Sequence, residues 1–294
     1  MNIEDLGEED FGDLDVEQPT KIALIDADTI AFAAASVYET AEELLPRNMY
    51  SDEEWASLVN SPNYDAEEGC IWHGDIEASM VKAIQDVRDL ISETNCIDAE
   101  LHFSTGRNFR YDVFPEYKGN RVDMHYPQNN RAIKIGLLAV FNGTMHEHIE
   151  ADDMVVRLKQ DNPDKYVLCA VDKDVLNAVA GKHYNYYRSD IYNIARKWMD
   201  IDYEHAFKWP YKQCLMGDST DNIKGCPGIG KVKAEKALSM CNSPIDLWKA
   251  VVSTFKSKKL TEADALMTMR LVSMMQVHII DGEGVLTLWE PPVC

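Results

Sequence analysis

The sequence predicts an α/β fold: a mostly parallel central sheet flanked by helices, followed by a helical C-terminal subdomain of helix–hairpin–helix type. Three observations carry this reading. Continuous apolar runs recur at 21–28, 99–105 and 165–172, each the length of one buried strand. Helical periodicity fills the intervals between them. After 203 the pattern is helical, broken by a glycine-rich loop at 222–230.

The elements follow in order. "KIALIDAD" (21–28) is an apolar run ending in acids, and "AELHFST" (99–105) and "KYVLCAVD" (165–172) read the same way. A helix is expected over 75–94, where Ile76, Met80, Ala83, Ile84, Val87 and Ile91 fall at helical spacing. Others are expected near 131–142, 152–160 and 174–180. Strands alternating with helices imply parallel pairing and two covered faces. "GVLTLWEPP" (284–292) reads as a short edge strand returning to the sheet and ended by its proline pair. The domains expected are an acidic, disordered tail (1–20), an α/β domain (21–202) with an acidic insertion at about 39–74, and a helical subdomain (203–294).

Charge sets limits on function. The chain has 294 residues, with 50 Asp+Glu against 29 Lys+Arg and a formal net charge of −21. Such a total argues against nucleic acid, which selects basic surfaces. The distribution argues otherwise. Residues 1–20 hold eight acids and no base, whereas residues 205–260 hold ten lysines and four acids. The longest apolar run, "IGLLAVF" (135–141), is too short to cross a bilayer, and the N-terminus has no signal-peptide pattern. Seven cysteines without a C-x-x-C pair are expected as reduced thiols in a cytoplasm, with no zinc site.

Ligands of open α/β sheets gather at the carboxyl ends of the strands, and here those ends are acidic. The first strand ends in Asp26 and Asp28. The third ends in Asp172, with Asp174 two residues on. "EADD" (Glu150, Asp152, Asp153) opens a helix, and Asp218 and Asp221 lie in a turn after another. So many carboxylates in one place repel one another and call for cations. Oxygen ligands without Cys or paired His select Mg²⁺ or Mn²⁺, and two such ions suit phosphodiester hydrolysis. Each group alone has a plainer reading as a helix cap. Four acidic groups at one topological edge exceed what capping needs. His146 and His148 are read as polar surface, not ligands. The tryptophans and the Met-rich stretch 267–275 are read as core.

Residues 225–231 spell G-x-x-x-x-G-K, but Val232 stands where a P-loop has Ser or Thr, and no strand precedes the loop. The loop reads instead as a tight turn between helices at 203–216 and 231–241. Gly228 and Gly230 let a phosphate approach the backbone, with Lys231, Lys233 and Lys236 nearby. The plainer reading is an ordinary Gly/Pro turn with solvated lysines. Carbonyls of such a loop can also hold a monovalent cation.

"GDSTDNIKGCPGIGKVKAEKAL" (217–238) resembles the G-D-x-x-D-N-I-x-G-x-x-G-I-G-x-K-x-A motif of the flap endonuclease / 5′→3′ exonuclease family. "IEADD" (149–153), "VDKD" (171–174), "ALIDAD" (23–28) and "PEYKGNR" (115–121) match further family segments in the expected order. The likeness covers about 21–290 and leans toward bacteriophage replication exonucleases. It implies a PIN-like nuclease domain and a helix–three-turn–helix at 223–238. It implies one metal site shaped by Asp26, Glu150, Asp152 and Asp172, and a second completed by Asp153, Asp174, Asp218 and Asp221. Lys118 is expected on the scissile phosphate, Tyr117 stacked on a base, and Arg121 in the same gateway. K⁺ is expected in the loop, at Cys226 and Ile229.

The expected substrate is double-stranded DNA with a 5′ end, flap or RNA primer, cut by a monomer in the cytoplasm of a host bacterium. A replication-protein partner is expected at the acidic tail. One departure stands out. Many family members carry a further Asp at the end of the second strand, where this chain has Ser104 and Thr105. Arg107 and Arg110 are expected on DNA there, and the short segment after Arg121 as a flexible loop rather than a long arch. Two alternatives remain open: a branched-DNA-binding protein of nuclease fold with weak catalysis, and a PIN-type RNA nuclease, a class that lacks the loop at 225–238.

Overall fold

The computed structural model describes residues 20–121, 125–187, 197–280 and 283–293. The acidic tail and the start of the loop after Arg121 therefore lie outside the described residues.

Strand β1 (Ile22–Asp26) leads into α1 (Asp28–Val37). The insertion supplies β2 (Glu39–Glu43), α2 (Asp52–Val59), β3 (Tyr64–Asp65) and β4 (Cys70–Gly74). Then come α3 (Ile76–Glu93), β5 (Asp98–Asn108), α4 (Arg110–Val113), α5 (Asn130–Val140), β6 (Asn142–His148), α6 (Ala151–Asp161), β7 (Tyr166–Ala170), α7 (Lys173–Asn177), β8 (Gly181–Asn185) and β9 (Lys197–Ile201). The last third holds α8 (Tyr203–Met216), β10 (Gly217–Asp218), β11 (Ile223–Lys224), α9 (Lys231–Leu238), α10 (Pro244–Ser257), α11 (Glu262–Val272), β12 (Val277–Ile280) and β13 (Glu283–Leu286).

The central sheet runs β6-β5-β1-β7-β8-β9, parallel except for β9. Its alternation decides the layers, because successive side chains of a strand face opposite ways. Ile25, Leu101, Phe103 and Cys169 join Ala31, Val87 and Leu137 on the face covered by α1, α3 and α5. Leu24, Leu168 and Ala170 join Val155 and Leu176 on the face covered by α6 and α7. Burial on both faces explains why β1 and β7 read as unbroken apolar runs. β6, β8 and β9 escaped sequence reading because they mix polar and apolar residues at the sheet's margins.

The insertion folds as a separate antiparallel sheet, β2-β4-β3. Helices α8 to α11 share a core of their own around Leu215, Leu247, Val251, Phe255 and Met269, to which Tyr117 also belongs. Among the described residues the expected return of a C-terminal strand to the central sheet is not found: β13 pairs with β12, and Val277 of that hairpin packs with Phe109, Ile149 and Met154. A neighbour a few residues away closes a shorter loop than a distant sheet edge, at lower entropic cost. The chain beyond β13 is no longer strand. Among the described residues no helix is long and apolar enough to cross a membrane, and the six described cysteines are free.

Candidate metal and nucleic-acid site

At the carboxyl edge of the sheet, Asp26 closes β1 and Asp172 follows β7. Glu150 is the N-cap of α6 and Asp153 its third residue, and the two form a capping box in which the Glu150 N–H donates to Asp153. Asp172 caps α7 by accepting from the Asp174 N–H at 2.6 Å. The capping reading of these acids is therefore correct for three of them. It does not account for the rest of the cluster.

The side chains of Asp26 and Asp152 meet in the cleft and act on each other. Burial pushes Asp26 up to about 7, with the charges of Asp28 and Asp172 adding to the rise. Burial raises Asp152 well above the carboxylate range, followed by the charges of Asp26, Glu150 and Asp172. Asp174 is pushed up to about 8, by burial first and by Asp172 second, and it shares a hydrogen bond with Asp218. Its Oδ1 is buried without a partner among the described residues. Burial acts upward on Asp218 too, but that bond, the Thr220 N–H and Lys173 hold it below the usual value.

The remaining acids meet cations. Lys118 Nζ lies 2.6 Å from Glu150 and 3.9 Å from Asp221. Arg121 donates to Asp221 at 2.6 Å. The Tyr117 hydroxyl donates to Glu150 and to Asp221, each at 3.0 Å. The backbone explains this convergence. Lys118, at φ 54°, donates its N–H to the Asp221 carbonyl at 3.0 Å. Asn222 donates to Glu116 O and Asn120 to Ser219 O. Segment 115–121 is thus clamped along the turn that carries Asp218 and Asp221. A cleft of about 950 Å³ is lined by Asp26, Glu150, Asp152, Asp172 and Asp221 together with Lys118 and Arg121. Asp174 and Asp218 lie in an adjoining recess that shares Asp152, Asp172 and Asp221 with it.

Three sequence assignments need correction. Asp153 is fully buried, and both its oxygens accept from Arg110, at 2.7 and 2.8 Å, so it has no free oxygen to turn toward an ion. Arg110 is 2% exposed and also bonds Glu150 and the carbonyls of Leu271 and Ser273; it cannot reach DNA. Tyr117 is 2% exposed, with its ring in the core of α8–α11, so it stacks on no base. In each case a buried partner claims the side chain. Arg107, in contrast, is exposed in the cleft wall and pairs with Asp112.

One pair was missed. Asp28 accepts from the Ser104 N–H at 3.0 Å and from Lys134 Nζ at 2.5 Å, and Lys134 also donates to Ser104 O. The Ser104 hydroxyl accepts from the Ala151 N–H. The signal was present: Lys134 shares the buried face of α5 with Ile133 and Leu137, where a charge needs a partner.

The glycine loop joins β11 to α9. Cys226 N–H donates to Leu215 O and Ile229 N–H to Cys226 O. Gly228 has φ +73°, and a Cβ at Gly228 or Gly230 would meet no atom within 4 Å, so this backbone is open to an approaching group. Lys231, Lys233 and Lys236 are exposed on α9, and Lys233 folds back on Gly228 O. Open space lines the loop from Cys226 to Gly230.

No family model matches the sequence. Solved structures do match the fold. Bacteriophage T5 5′-exonuclease with divalent metal ions (zinc) superposes with a TM-score of 0.56 at 17% identity, covering 87% of this chain and 90% of that one. The chain has the 5′-nuclease fold. The bacteriophage T5 flap endonuclease, in a pseudo-enzyme–product complex with DNA and metal ions, gives 0.51 at 17% identity over 67% of this chain and 81% of that one. The catalytic core of Rad2 in complex with DNA substrate gives 0.50 at 12% identity over 94% and 84%. The 5′-nuclease fold is thus shared over most of the chain.

Among the described residues, no three His, Cys, Asp or Glu side chains are already gathered as ligands around one point. The donor set nonetheless fits a hard divalent cation. It is all oxygen, and Asp174 Oδ1 is buried without a partner among the described residues.

Proposed function

We propose that this chain is a metal-dependent 5′→3′ exonuclease or flap endonuclease that hydrolyses DNA phosphodiesters, and RNA primers, from 5′ ends during phage-type DNA replication. One observation carries the reading. Acids from β1, α6, α7 and the β10–β11 turn share one cleft with Lys118 and Arg121, beside a loop with open backbone and exposed lysines. The substrate is duplex DNA with a 5′ end or flap, bound by a monomer in the host cytoplasm. The acidic tail is the docking segment for a replication protein.

Asp26, Glu150, Asp152 and Asp172 would hold one Mg²⁺ or Mn²⁺, and Asp174, Asp218 and Asp221 a second. Bound there, the ions would supply a water of lowered pKa and positive charge against the phosphate. The protein's own groups do the rest. Lys118 and Arg121, which face the carboxylates of the cleft, orient the scissile group and offset its developing negative charge. Tyr117 keeps Glu150 and Asp221 apart from a fixed, buried position. The open backbone at Gly228–Gly230 and the start of α9 receive a duplex phosphate, independent of sequence. Carbonyls of Cys226 and Ile229 are the donors for K⁺. In-line attack of a water on the phosphorus breaks the P–O3′ bond, leaving a 5′-phosphate and releasing a 3′-hydroxyl that takes up a proton.

A second reading is a branched-DNA-binding protein with weak catalysis. It is favoured by Ser104 of β5, whose N–H bonds Asp28, a carboxylate already matched by Lys134. A 5′-labelled flap with and without Mg²⁺ separates the two. Short labelled products that disappear in Asp172→Asn, with duplex affinity retained, support the nuclease. Binding without products in the wild type supports the second reading, and unchanged turnover in Asp172→Asn refutes the metal assignment.

A further inference from the structure

Beyond the acid cluster the same cleft runs on to the first turn of α5, where Asn130, Arg131 and Lys134 line it. Lys134 is committed to Asp28 and Ser104. Arg131 is exposed and in no ion pair among the described residues. Asn130 is 1% exposed, and neither its Oδ1 nor its Nδ2 has a hydrogen-bond partner among the described residues. A buried polar group left unpaired loses its hydration without a hydrogen bond to replace it. In a native fold such a group calls for a specific reason, and a ligand that completes it is one.

The chemistry of that ligand follows from the groups. A primary amide offers a donor and an acceptor side by side. Phosphate, which only accepts from it, satisfies one; a nucleobase edge satisfies both. Arg131 and the start of an 11-residue helix suit a phosphate instead. Tyr126 is on the same wall, 57% exposed and held edge-on to Phe32, and leaves a ring face for stacking. Of the acids near this turn, Asp28 has its charge met by Lys134, and Glu39 accepts from the Gln128 N–H and bonds His125. A cleft of about 950 Å³ has room for a nucleotide beside the acid cluster.

We propose that the α5 end of the cleft is a subsite for one nucleotide of the strand to be cut, its base edge on the amide of Asn130 and its phosphate on Arg131. The assignment to a cut strand rests on the nuclease reading; the binding of a nucleotide does not.

Calorimetric titration of the full chain without metal, using deoxyadenosine 5′-monophosphate, deoxyadenosine and inorganic phosphate, tests this. Adenine is the probe because its N6 and N7 pair with an asparagine amide. The nucleotide is expected to bind at least about tenfold more tightly than either fragment. Asn130→Leu should weaken the nucleotide and the nucleoside about tenfold and leave phosphate unchanged. Arg131→Ala, at an exposed position where folding is not at stake, should weaken the nucleotide and phosphate but not the nucleoside. Equal affinity for nucleotide and phosphate, or indifference to both substitutions, overturns the subsite. Nucleotide binding of this kind in a chain that never cuts DNA keeps the subsite and removes the nuclease reading. Cleavage with no such binding does the reverse.

Discussion

Arg110 grips both oxygens of Asp153, at 2.7 and 2.8 Å, in a pocket sealed from water. Its remaining N–H groups reach the carbonyls of Leu271 and Ser273, so one side chain ties the start of α6 to the end of α11. Removing one partner of a buried pair strands the other charge, at about 3–5 kcal/mol. Arg110→Met and Asp153→Leu are each expected to lose about that much in denaturant unfolding. The double substitution should lose far less than the sum, and additivity would show that the pair is not coupled.

Lys118 reaches into the cleft, 2.6 Å from Glu150. Lys118→Ala is expected to lower kcat on a flap substrate by about 10²–10³, the cost of removing one donor aimed at developing charge. KM should change little. A rise in KM alone would make Lys118 a binding residue.

Gly217 sits at φ +70°, and a Cβ there would lie 2.2 Å from Gly225 N and 2.5 Å from Ile223 O. Those contacts are backbone and cannot swing aside. Gly217→Ala should destabilise by about 1–3 kcal/mol. It should also reduce cleavage more than duplex binding, because the turn it opens carries Asp218 and Asp221. Full activity would show that the ribbon does not position those acids.

Replacing Lys231, Lys233 and Lys236 together with Ala is expected to weaken duplex binding without regard to sequence. The slope of log K against log salt should become shallower by roughly one for each phosphate left without its lysine. An unchanged slope would move the duplex site elsewhere.

His146 is stacked on His102, with Nε2 2.8 Å from His102 Nδ1. Burial, and secondarily the charge of His102, push it down to about 4. The unfolded chain takes up that proton near pH 6.5. Between pH 6.5 and 4 the unfolded state therefore binds more protons, and stability falls as pH drops through this window. One proton across this window, at about 1.4 kcal/mol for each step of one in pH, brings the loss to about 3 kcal/mol. His146→Gln should flatten the pH dependence of unfolding over that window, and a slope equal to wild type would contradict this.

Much of the frame was legible because its signals are local. β1 and β7 announce themselves by unbroken apolar runs, α3 by helical spacing, and Asp26 and Asp172 by standing at strand ends. What escaped depends on partners far along the chain. Nothing near Arg110 or Tyr117 tells a reader that Asp153 or Glu150 will claim it, so both looked like surface groups beside a motif. Lys134 and Asn130 looked like ordinary helix residues until α1 and β5 closed around them. β13 was read as joining the large sheet because strand propensity names no partner.

The clamp between segment 115–121 and the β10–β11 turn has a consequence for assembly. The ring of Tyr117 belongs to the core of the last third of the chain, while its hydroxyl holds two acids of the cleft. A fragment ending before α8 would keep its parallel strands but have no floor beneath Glu150. Parallel pairings between distant strands form slowly, and here the cleft must also wait for helices that follow the sheet in the chain. A chain interrupted before α8 would thus carry Asp26, Glu150, Asp152 and Asp172 without the contacts that hold Glu150 in place.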